Sequence, residues 1–194
     1  MLVRKLPVEF AAPVILSYDA GGNIILGPVS HDTTVNMAVS PIDATVVAVT
    51  GWPDVVENKG RETVWLTRNA GETWADITGD LAEATASIGM FRPSGLLLLP
   101  LSAATTTGTT VAVLIGTVSG VFVSFDAITQ GVVTPTWSRL GSCADLPLVL
   151  AKGLSHEPLS DTLLVATFGR GVYRLANATA ALGRVFQQKR AGAC

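Results

Sequence analysis

The sequence predicts an all-β protein built from repeated units, and three observations support this prediction. First, only 14% of the 194 residues are charged, while 48% are hydrophobic; a typical soluble domain has about a quarter of its residues charged. Second, valine, threonine, alanine and glycine fill the difference, a mixture that favours strands and tight turns. Third, short apolar runs recur along the chain, with small-residue or polar turns between them.

The apolar runs group into four segments, and we predict that each segment forms one unit of a repeat. The segments are 14–28, 35–78, 95–140 and 148–188. The first is short and supplies only the outer half of a unit. Each of the other three opens with an apolar run suited to an innermost strand, at 35–39, 95–101 and 148–154.

Two further apolar runs in each long segment predict its second and third strands, at 46–50 and 63–67, at 111–117 and 120–124, and at 162–167 and 169–175. Residues 73–78 and 135–140 would supply two of the fourth strands. The turn residues Ser17, Thr67 and Ser124 lie 50 and 57 positions apart, as expected for four-stranded propeller blades. The sequence therefore predicts a partial β-propeller of antiparallel blades, with about three and a half blades in one domain, 1–194.

The segment at 176–189 leaves two alternatives open. Ala180, Ala181, Leu182, Val185 and Phe186 have near-helical spacing and would form a short terminal helix. The same segment would equally hold the outer strand of the last unit, at 184–188.

A motif at the end of one predicted third strand adds a family resemblance. Residues 67–74 read Thr-Arg-Asn-Ala-Gly-Glu-Thr-Trp and resemble the Asp box, or BNR repeat, whose pattern is Ser/Thr-x-Asp-x-Gly-x-Thr-Trp. Asn69 replaces the usual aspartate, and either side chain accepts hydrogen bonds from turn amides. Gly71 suits a positive φ, and Trp74 offers a large apolar anchor.

Two partial copies of the motif follow other predicted strands. Ser17, Asp19 and Gly21 keep its first half, whereas Ser124 and Asp126 are separated by an insertion from Thr136 and Trp137. The run Gly-Arg-Gly-Val-Tyr-Arg at 169–174 is similar to an ending common in the same superfamily. The resemblance covers roughly residues 14–175. The superfamily that the chain resembles includes sialidases, xyloglucan-cleaving glycoside hydrolases, sortilin-type receptors and photosystem assembly factors, which share no single activity.

The resemblance implies a structural role for the motif residues, because the box joins the third and fourth strands of a blade away from the catalytic face. The residues with this implied role are Ser17, Asp19, Gly21, Thr67, Asn69, Gly71, Trp74, Ser124, Asp126 and Trp137. The functional face would be formed by the loops between second and third strands, at 51–62, 118–120 and 168–171, and by the loops between blades, at 79–94 and 141–147.

Seven residues in or beside these face loops are candidate ligand-binding residues: Trp52, Asp54, Glu57, Arg61, Arg92, Asp145 and Arg170. Trp52 would stack on a sugar or an apolar group, although a solvated hairpin explains the charged loop 51–62 more simply. Arg170 lies between two glycines, which let the backbone turn sharply and expose the guanidinium. It would either bind an anionic group or donate hydrogen bonds to carbonyls of a neighbouring blade.

Composition excludes several classes of protein. A net charge of −2 without a basic stripe argues against nucleic-acid binding, and the longest apolar run, near 95–104, is too short to span a membrane. No cofactor motif or metal-ligand spacing is present. No signal-peptide pattern opens the chain, so export would require a signal outside it and the compartment stays open. Cys143 and Cys194 would form one disulfide or remain free.

Two functions from different classes fit these features. The first is a non-catalytic propeller module for binding or assembly, which binds a protein or a glycan through its face loops. The second is a glycoside hydrolase of the BNR or xyloglucanase type, which needs two carboxyl groups across one cleft. No spacing selects such a pair, so no catalytic residue is assigned. Since open sheet ends are a hazard, the rest of a propeller or a second copy is the expected partner.

Overall fold

A computed structural model describes residues 16–18, 24–26, 33–52, 62–84, 93–105, 108–128 and 134–190 of the chain. The chain divides into two units, Met1–Asp32 and Thr33–Cys194. In the first unit, strand β1 (Leu16–Tyr18) pairs antiparallel with β2 (Ile24–Leu26). These two strands fall within the segment predicted as a half unit, 14–28.

The second unit contains three antiparallel sheets, and in each sheet the strands follow one another in chain order. The first sheet consists of β3 (Thr33–Val39), β4 (Val47–Trp52), β5 (Thr63–Thr67) and β6 (Ala75–Asp76). The second sheet consists of β7 (Gly95–Thr105), β8 (Gly108–Thr117), β9 (Gly120–Ser124) and β10 (Ser138–Arg139). The third sheet has three strands, β11 (Ala151–Glu157), β12 (Thr162–Thr167) and β13 (Gly171–Ala176).

Helices make up a small part of the described chain: α1 (Leu81–Ala84) is a single turn, and α2 (Ala178–Arg190) follows the last strand. The prediction of a mostly β architecture with antiparallel sheets is therefore confirmed. Among the described strands, the sheets do not close into a ring.

The second sheet is buried on both faces. Successive residues of a strand point to opposite sides of its sheet, so neighbouring residues report on the two faces separately. In β8, Val113 and Ile115 belong to a core cluster that includes Val64 and Leu66 of the first sheet. The intervening Leu114 belongs to a second cluster, which contains residues of the third sheet and of α2. The uninterrupted apolar sequence of β8 therefore serves two different cores.

A glycine in β8 permits close contact between the second and third sheets. A Cβ atom added to Gly116 would overlap the carbonyl oxygen of Ala151, at the start of β11. No side chain larger than hydrogen fits there without moving one of the two sheets. Gly116 thus fixes the spacing between β8 and β11.

The structure decides between the two alternatives for the end of the chain. Asn177 has a φ of 51°, which ends β13, and a helix starts at the next residue. Ala178, Leu182 and Phe186 lie four residues apart, and all three pack into the second core cluster. The segment 184–188 is therefore helical, and the third sheet gains no outer strand from it.

One predicted strand differs in position. The apolar run 148–154 was expected to form the innermost strand of the last unit, whereas β11 spans Ala151–Glu157. The hairpin turn at 158–161 sets this register, because it places Glu157 opposite Thr162 and extends the strand through polar residues. Leu148 remains outside the strand, with 64% of its surface exposed.

Candidate functional site

The order of the strands places different connections at the two ends of the strands in the second unit. We name these two ends the loop edge and the turn edge; neither name refers to an outermost strand. In a meander of four strands, the connection between the second and third strands lies opposite the connection between the third and fourth. We call the first kind of edge the loop edge; its described members are Glu62 and residues 118–119 and 168–170. The second kind is the turn edge, and it contains the motif at 67–74 and the motif at 124–137.

The motif at 67–74, hereafter the Thr67 turn, is held together by side-chain hydrogen bonds. The hydroxyl of Thr67 donates to Asn69 Oδ1 over 2.9 Å and accepts from the Gly71 amide over 2.9 Å. Asn69 Oδ1 also accepts from the Thr73 amide, at 2.9 Å. Ala70 and Gly71 both have positive φ angles, so the backbone follows a left-handed path at the tip.

The motif at 124–137, hereafter the Ser124 turn, repeats this pattern in spite of its insertion. The Ser124 hydroxyl lies 2.6 Å from Asp126 Oδ1. The carboxylate of Asp126 accepts from the amide of Thr136 over 3.1 Å and from its hydroxyl over 2.9 Å. The two turns share one arrangement. A hydroxyl group at the end of the third strand bonds to a side-chain oxygen two residues later, from Asn69 or Asp126. The same side chain accepts from the amide of a threonine that precedes the fourth strand.

The tryptophans that end the two turns lie in different surroundings. Trp137 is 5% exposed, belongs to the core cluster between the first and second sheets, and donates from Nε1 to the Ile77 carbonyl. Trp74 is half-buried, and its Nε1 donates to the carbonyl of Gly71 in its own turn over 3.1 Å. The expectation that Trp74 anchors the motif in a core therefore describes Trp137 better.

An arginine connects the two turns at the turn edge. Arg68 donates from Nε to the carbonyl of Ile128 over 3.1 Å and from a terminal nitrogen to the same oxygen over 2.7 Å. Burial lowers the pKa of Arg68 from its ordinary value, because the charged guanidinium is partly removed from water. The Thr67 and Ser124 turns are thus adjacent, and the Arg68 side chain connects the first sheet to the second.

A second arginine, Arg139, donates hydrogen bonds to backbone carbonyls at the loop edge. Arg139 donates from Nε to the carbonyl of Ser119 over 3.0 Å and from one terminal nitrogen to the carbonyl of Gly141 over 2.9 Å. Its other terminal nitrogen donates to the carbonyl of Leu146. The guanidinium therefore connects the β8–β9 turn to the loop that leads into the third sheet.

Asp145, a predicted ligand-binding residue, is already engaged by its own loop. Its Oδ2 accepts from the Ser142 hydroxyl over 2.6 Å and from the Ser142 amide over 3.1 Å. These bonds stabilise the ionised form and lower the pKa of Asp145 from its ordinary value. The carboxylate stays charged and shapes the loop, a poor arrangement for a proton donor.

The turn at 168–170 offers the side chains best placed to meet a ligand. Gly169 and Gly171 have φ angles of 80° and 78°, as the predicted sharp turn requires. Between them Arg170 is exposed, and it forms no hydrogen bond or ion pair with the described residues. Phe168 is 70% exposed beside it. A carbonyl of a neighbouring sheet's turn is bound instead by Arg68, which donates to Ile128.

Only some of the predicted site residues lie within the described part of the chain. Trp52 ends β4, and Ser17 lies in β1. Asp54, Glu57, Arg61, Arg92, Asp19 and Gly21 lie outside the described residues. Two further carboxyl groups belong to the predicted face loops 51–62 and 79–94: Glu62 is buried, and Glu83 is exposed on α1. Cys143 is an exposed free thiol, and Cys194 falls outside the described ranges.

Two residues at the loop edge were not singled out by the sequence. Arg139 follows Ser138 in a short strand, and nothing in its neighbourhood marks it as a connection between sheets. Phe168 had a usable signal, since a large aromatic residue beside a glycine-flanked turn is hard to bury. The sequence pattern identified the glycines and the arginine of that turn but not its exposed aromatic neighbour.

No protein-family model matches this chain, and no curated protein matches it either. The described part of the chain contains no helix of the length and apolar character that a bilayer span requires. In the same residues, no three His, Cys, Asp or Glu side chains come together as a metal site would need.

Proposed function

We propose that this chain is a segment of a β-propeller that serves as a non-catalytic module for binding or assembly. In this proposal the loop edge meets the ligand, and the three sheets correspond to successive blades. The Thr67 and Ser124 turns correspond to Asp boxes and have a structural role.

The burial of the second sheet on both faces is the observation that carries the proposal. A sheet in a two-layer sandwich buries one face, whereas a propeller blade lies between two others. Val113 and Leu114 are adjacent in β8, yet both are buried in different clusters. The meander order of each sheet and the equivalent bonds of the two turns support the same assignment.

The turn at 168–170 supports a binding role. Arg170 is exposed and lies between two glycines with positive φ angles, and Phe168, two residues earlier, is also exposed. An exposed planar cation and an exposed aromatic ring in one short turn suit a carboxylate or another anionic group attached to an apolar or sugar ring. A protein or a glycan that carries such a group fits this turn.

The hydrolase alternative draws no support from the described carboxyl groups. Asp145 accepts two hydrogen bonds from Ser142, and its lowered pKa keeps it ionised at neutral pH. A general acid for glycoside cleavage needs the opposite shift. Glu62, which ends the predicted face loop 51–62 just before β5, is only 6% exposed.

The proposal is tested by a binding comparison with a matched control. The chain is presented to an array of neutral and anionic oligosaccharides and, separately, to a cell extract for affinity capture. The doubly substituted Phe168→Ala, Arg170→Ala chain should lose at least about tenfold in affinity for the ligand that is found, equivalent to about 1.4 kcal/mol. Arg184→Ala, which removes an exposed cation from α2, should bind like the wild type.

Two results would overturn the proposal. One is a ligand that binds the doubly substituted chain as tightly as the wild type, because the loop edge would then be uninvolved. The other is release of shorter oligosaccharides during incubation, followed by chromatography, since turnover is incompatible with a non-catalytic module.

A further inference from the structure

Among the described residues, the third strand of the third sheet has no outer neighbour, whereas its counterparts in the other two sheets do. In the first sheet β5 pairs with β6, and in the second sheet β9 pairs with β10. Every residue of β9 is buried, and so are four of the five residues of β5. In β13 no residue is buried, and no described strand lies on its outer side.

The helix that follows β13 does not cover this edge. The chain leaves the sheet at Asn177, and the amide of Ala178 donates to the carbonyl of Asp161 at the opposite hairpin. From there α2 packs against β7, and its Phe186 ring lies 5.6 Å from that of Phe125. The outer backbone groups of β13 therefore face away from the helix.

An exposed strand edge is a template for another strand, because its N–H and C=O groups point outward in a regular row. Such a strand would contact side chains of β13 on both faces of the extended sheet. Tyr173 and Leu175 face the second core cluster and are only half-buried. Val172 and Arg174 face outward, and Val172 is 66% exposed.

Two exposed cations lie at this edge: Arg174 in β13 and Arg170 in the turn that precedes it. The carboxylates of the same sheet lie at its other end, in the β11–β12 hairpin: Glu157, at the end of β11, accepts from the amides of Leu159 and Ser160. Asp161 accepts from Thr179. An incoming strand therefore meets positive charge on the outer side and apolar surface on the inner side.

We propose that β13 accepts an extended segment of a partner protein as the fourth strand of the third sheet. The segment carries an acidic residue opposite Arg174 and apolar residues opposite Tyr173 and Leu175. Alternation of side chains along a strand produces this pattern, with one face toward the core cluster and the other toward the cations. This inference uses only the third sheet and does not depend on the proposed function.

Self-association of two copies through this edge is a weaker fit. Two β13 strands related by a twofold axis keep their faces aligned when one residue lies opposite its own copy, and the overlap is longest when that residue is Tyr173 or Arg174. The second arrangement places like charges directly opposite, and the first places them on a diagonal within reach of long side chains. An acidic partner segment avoids both.

Synthetic peptides test the proposal on the full chain. The probe is an acetylated, amidated heptapeptide of alternating valine and glutamate, and the comparison peptide carries lysine in place of glutamate. We expect calorimetry to show binding of the glutamate peptide at least about tenfold tighter than the lysine peptide. Arg174→Glu should reverse this preference, while Arg184→Glu, the same change on α2, should leave it unchanged.

N-methylated peptides distinguish strand addition from simple charge attraction. Only alternate residues of an added strand direct their N–H groups to the edge. N-methylation of either all the valines or all the glutamates should therefore abolish binding, and N-methylation of the other set should preserve it. Equal binding of both methylated peptides, or no binding of the glutamate peptide to the wild type, would overturn the proposal. A wild-type dimer in sedimentation that Arg174→Glu dissociates would also overturn it, in favour of a second copy.

Discussion

The second and third sheets have similar apolar runs but very different surroundings. Leu114 of β8 is fully buried, while Leu164, at the corresponding place and on the corresponding face of β12, is 38% exposed. The first lies between two sheets, and the second lies on a face that no described element covers. The comparison shows that the burial of a strand depends on what is packed against each of its faces, because its own sequence is equally apolar in both cases.

The largest effect is expected where two sheets meet at a large side chain. Trp137→Ala should lower the free energy of unfolding by about 3–5 kcal/mol, because Trp137 fills the core between the first and second sheets. Trp74→Ala removes a half-buried ring and one hydrogen bond, and should cost about 1 kcal/mol. Urea denaturation of both variants measures the difference, and equal losses would contradict the different roles assigned to the two tryptophans.

The leucine pair tests the comparison of the two sheets directly. Leu114→Ala should cost about 2–5 kcal/mol, since it leaves a cavity between packed sheets. Leu164→Ala should cost less than about 1 kcal/mol, because the side chain is already partly in water. The same denaturation experiment applies. A large loss for Leu164→Ala would show that the outward face of the third sheet is covered in solution.

Two glycines give a smaller contrast across the contact between these sheets. Gly116→Ala should cost about 1–3 kcal/mol, because the new methyl group would overlap the Ala151 carbonyl. Gly153→Ala places its methyl group at ordinary contact distance, 3.7 Å, from the Cβ of Ala166, so stability should be unchanged or slightly higher. Thermal melting of the two variants should separate them, and similar melting temperatures would contradict the close approach of β8 to β11.

The smallest effect concerns the attachment of α2 to the third sheet. Partial burial raises the pKa of Asp161, but hydrogen bonds from the Thr179 amide, His156 and the Thr179 hydroxyl outweigh burial and bring the pKa below its ordinary value. A carboxyl group whose pKa is lowered by folding stabilises the fold above its unfolded pKa, about 3.9, and that contribution is lost as the pH falls through the folded pKa.

Asp161→Asn should therefore be less stable than the wild type at pH 7, and the difference should shrink as the pH falls below about 4. Denaturation at a series of pH values, followed by the helical circular dichroism signal, measures this difference. A difference that stays constant between pH 7 and pH 3 would show that the charge of Asp161 does not hold the helix.

Much of the fold could be predicted because its strands are marked locally. The runs at 63–67, 120–124 and 162–167 coincide with β5, β9 and β12, since short apolar segments between glycine or polar turns have few alternatives. The start of β11 was placed three residues early. Apolar character alone pointed to Leu148, whereas the register of the β11–β12 hairpin was set by its turn.

The candidate site was predictable only in part. The glycines on both sides of Arg170 revealed a turn with an exposed cation, because positive φ angles favour glycine. Arg139 gave no such signal, since the carbonyls that it binds come from Ser119, Gly141 and Leu146. Contacts between residues distant in the chain depend on how the sheets are stacked, and no local pattern encodes them.

The sequence by itself determined the approximate positions of most strands and the chemistry of the two turns, because alternation, glycine and short polar side chains act over a few residues. Only the tertiary structure decided that the second sheet is buried on both faces and that 178–190 forms a helix. Two tertiary contacts favour a helix there. Asp161, in the β11–β12 hairpin, accepts a hydrogen bond from the first turn of the helix, and Leu182, 2% exposed, packs into a core cluster. With the helix there, β13 is the last strand of its sheet among the described residues.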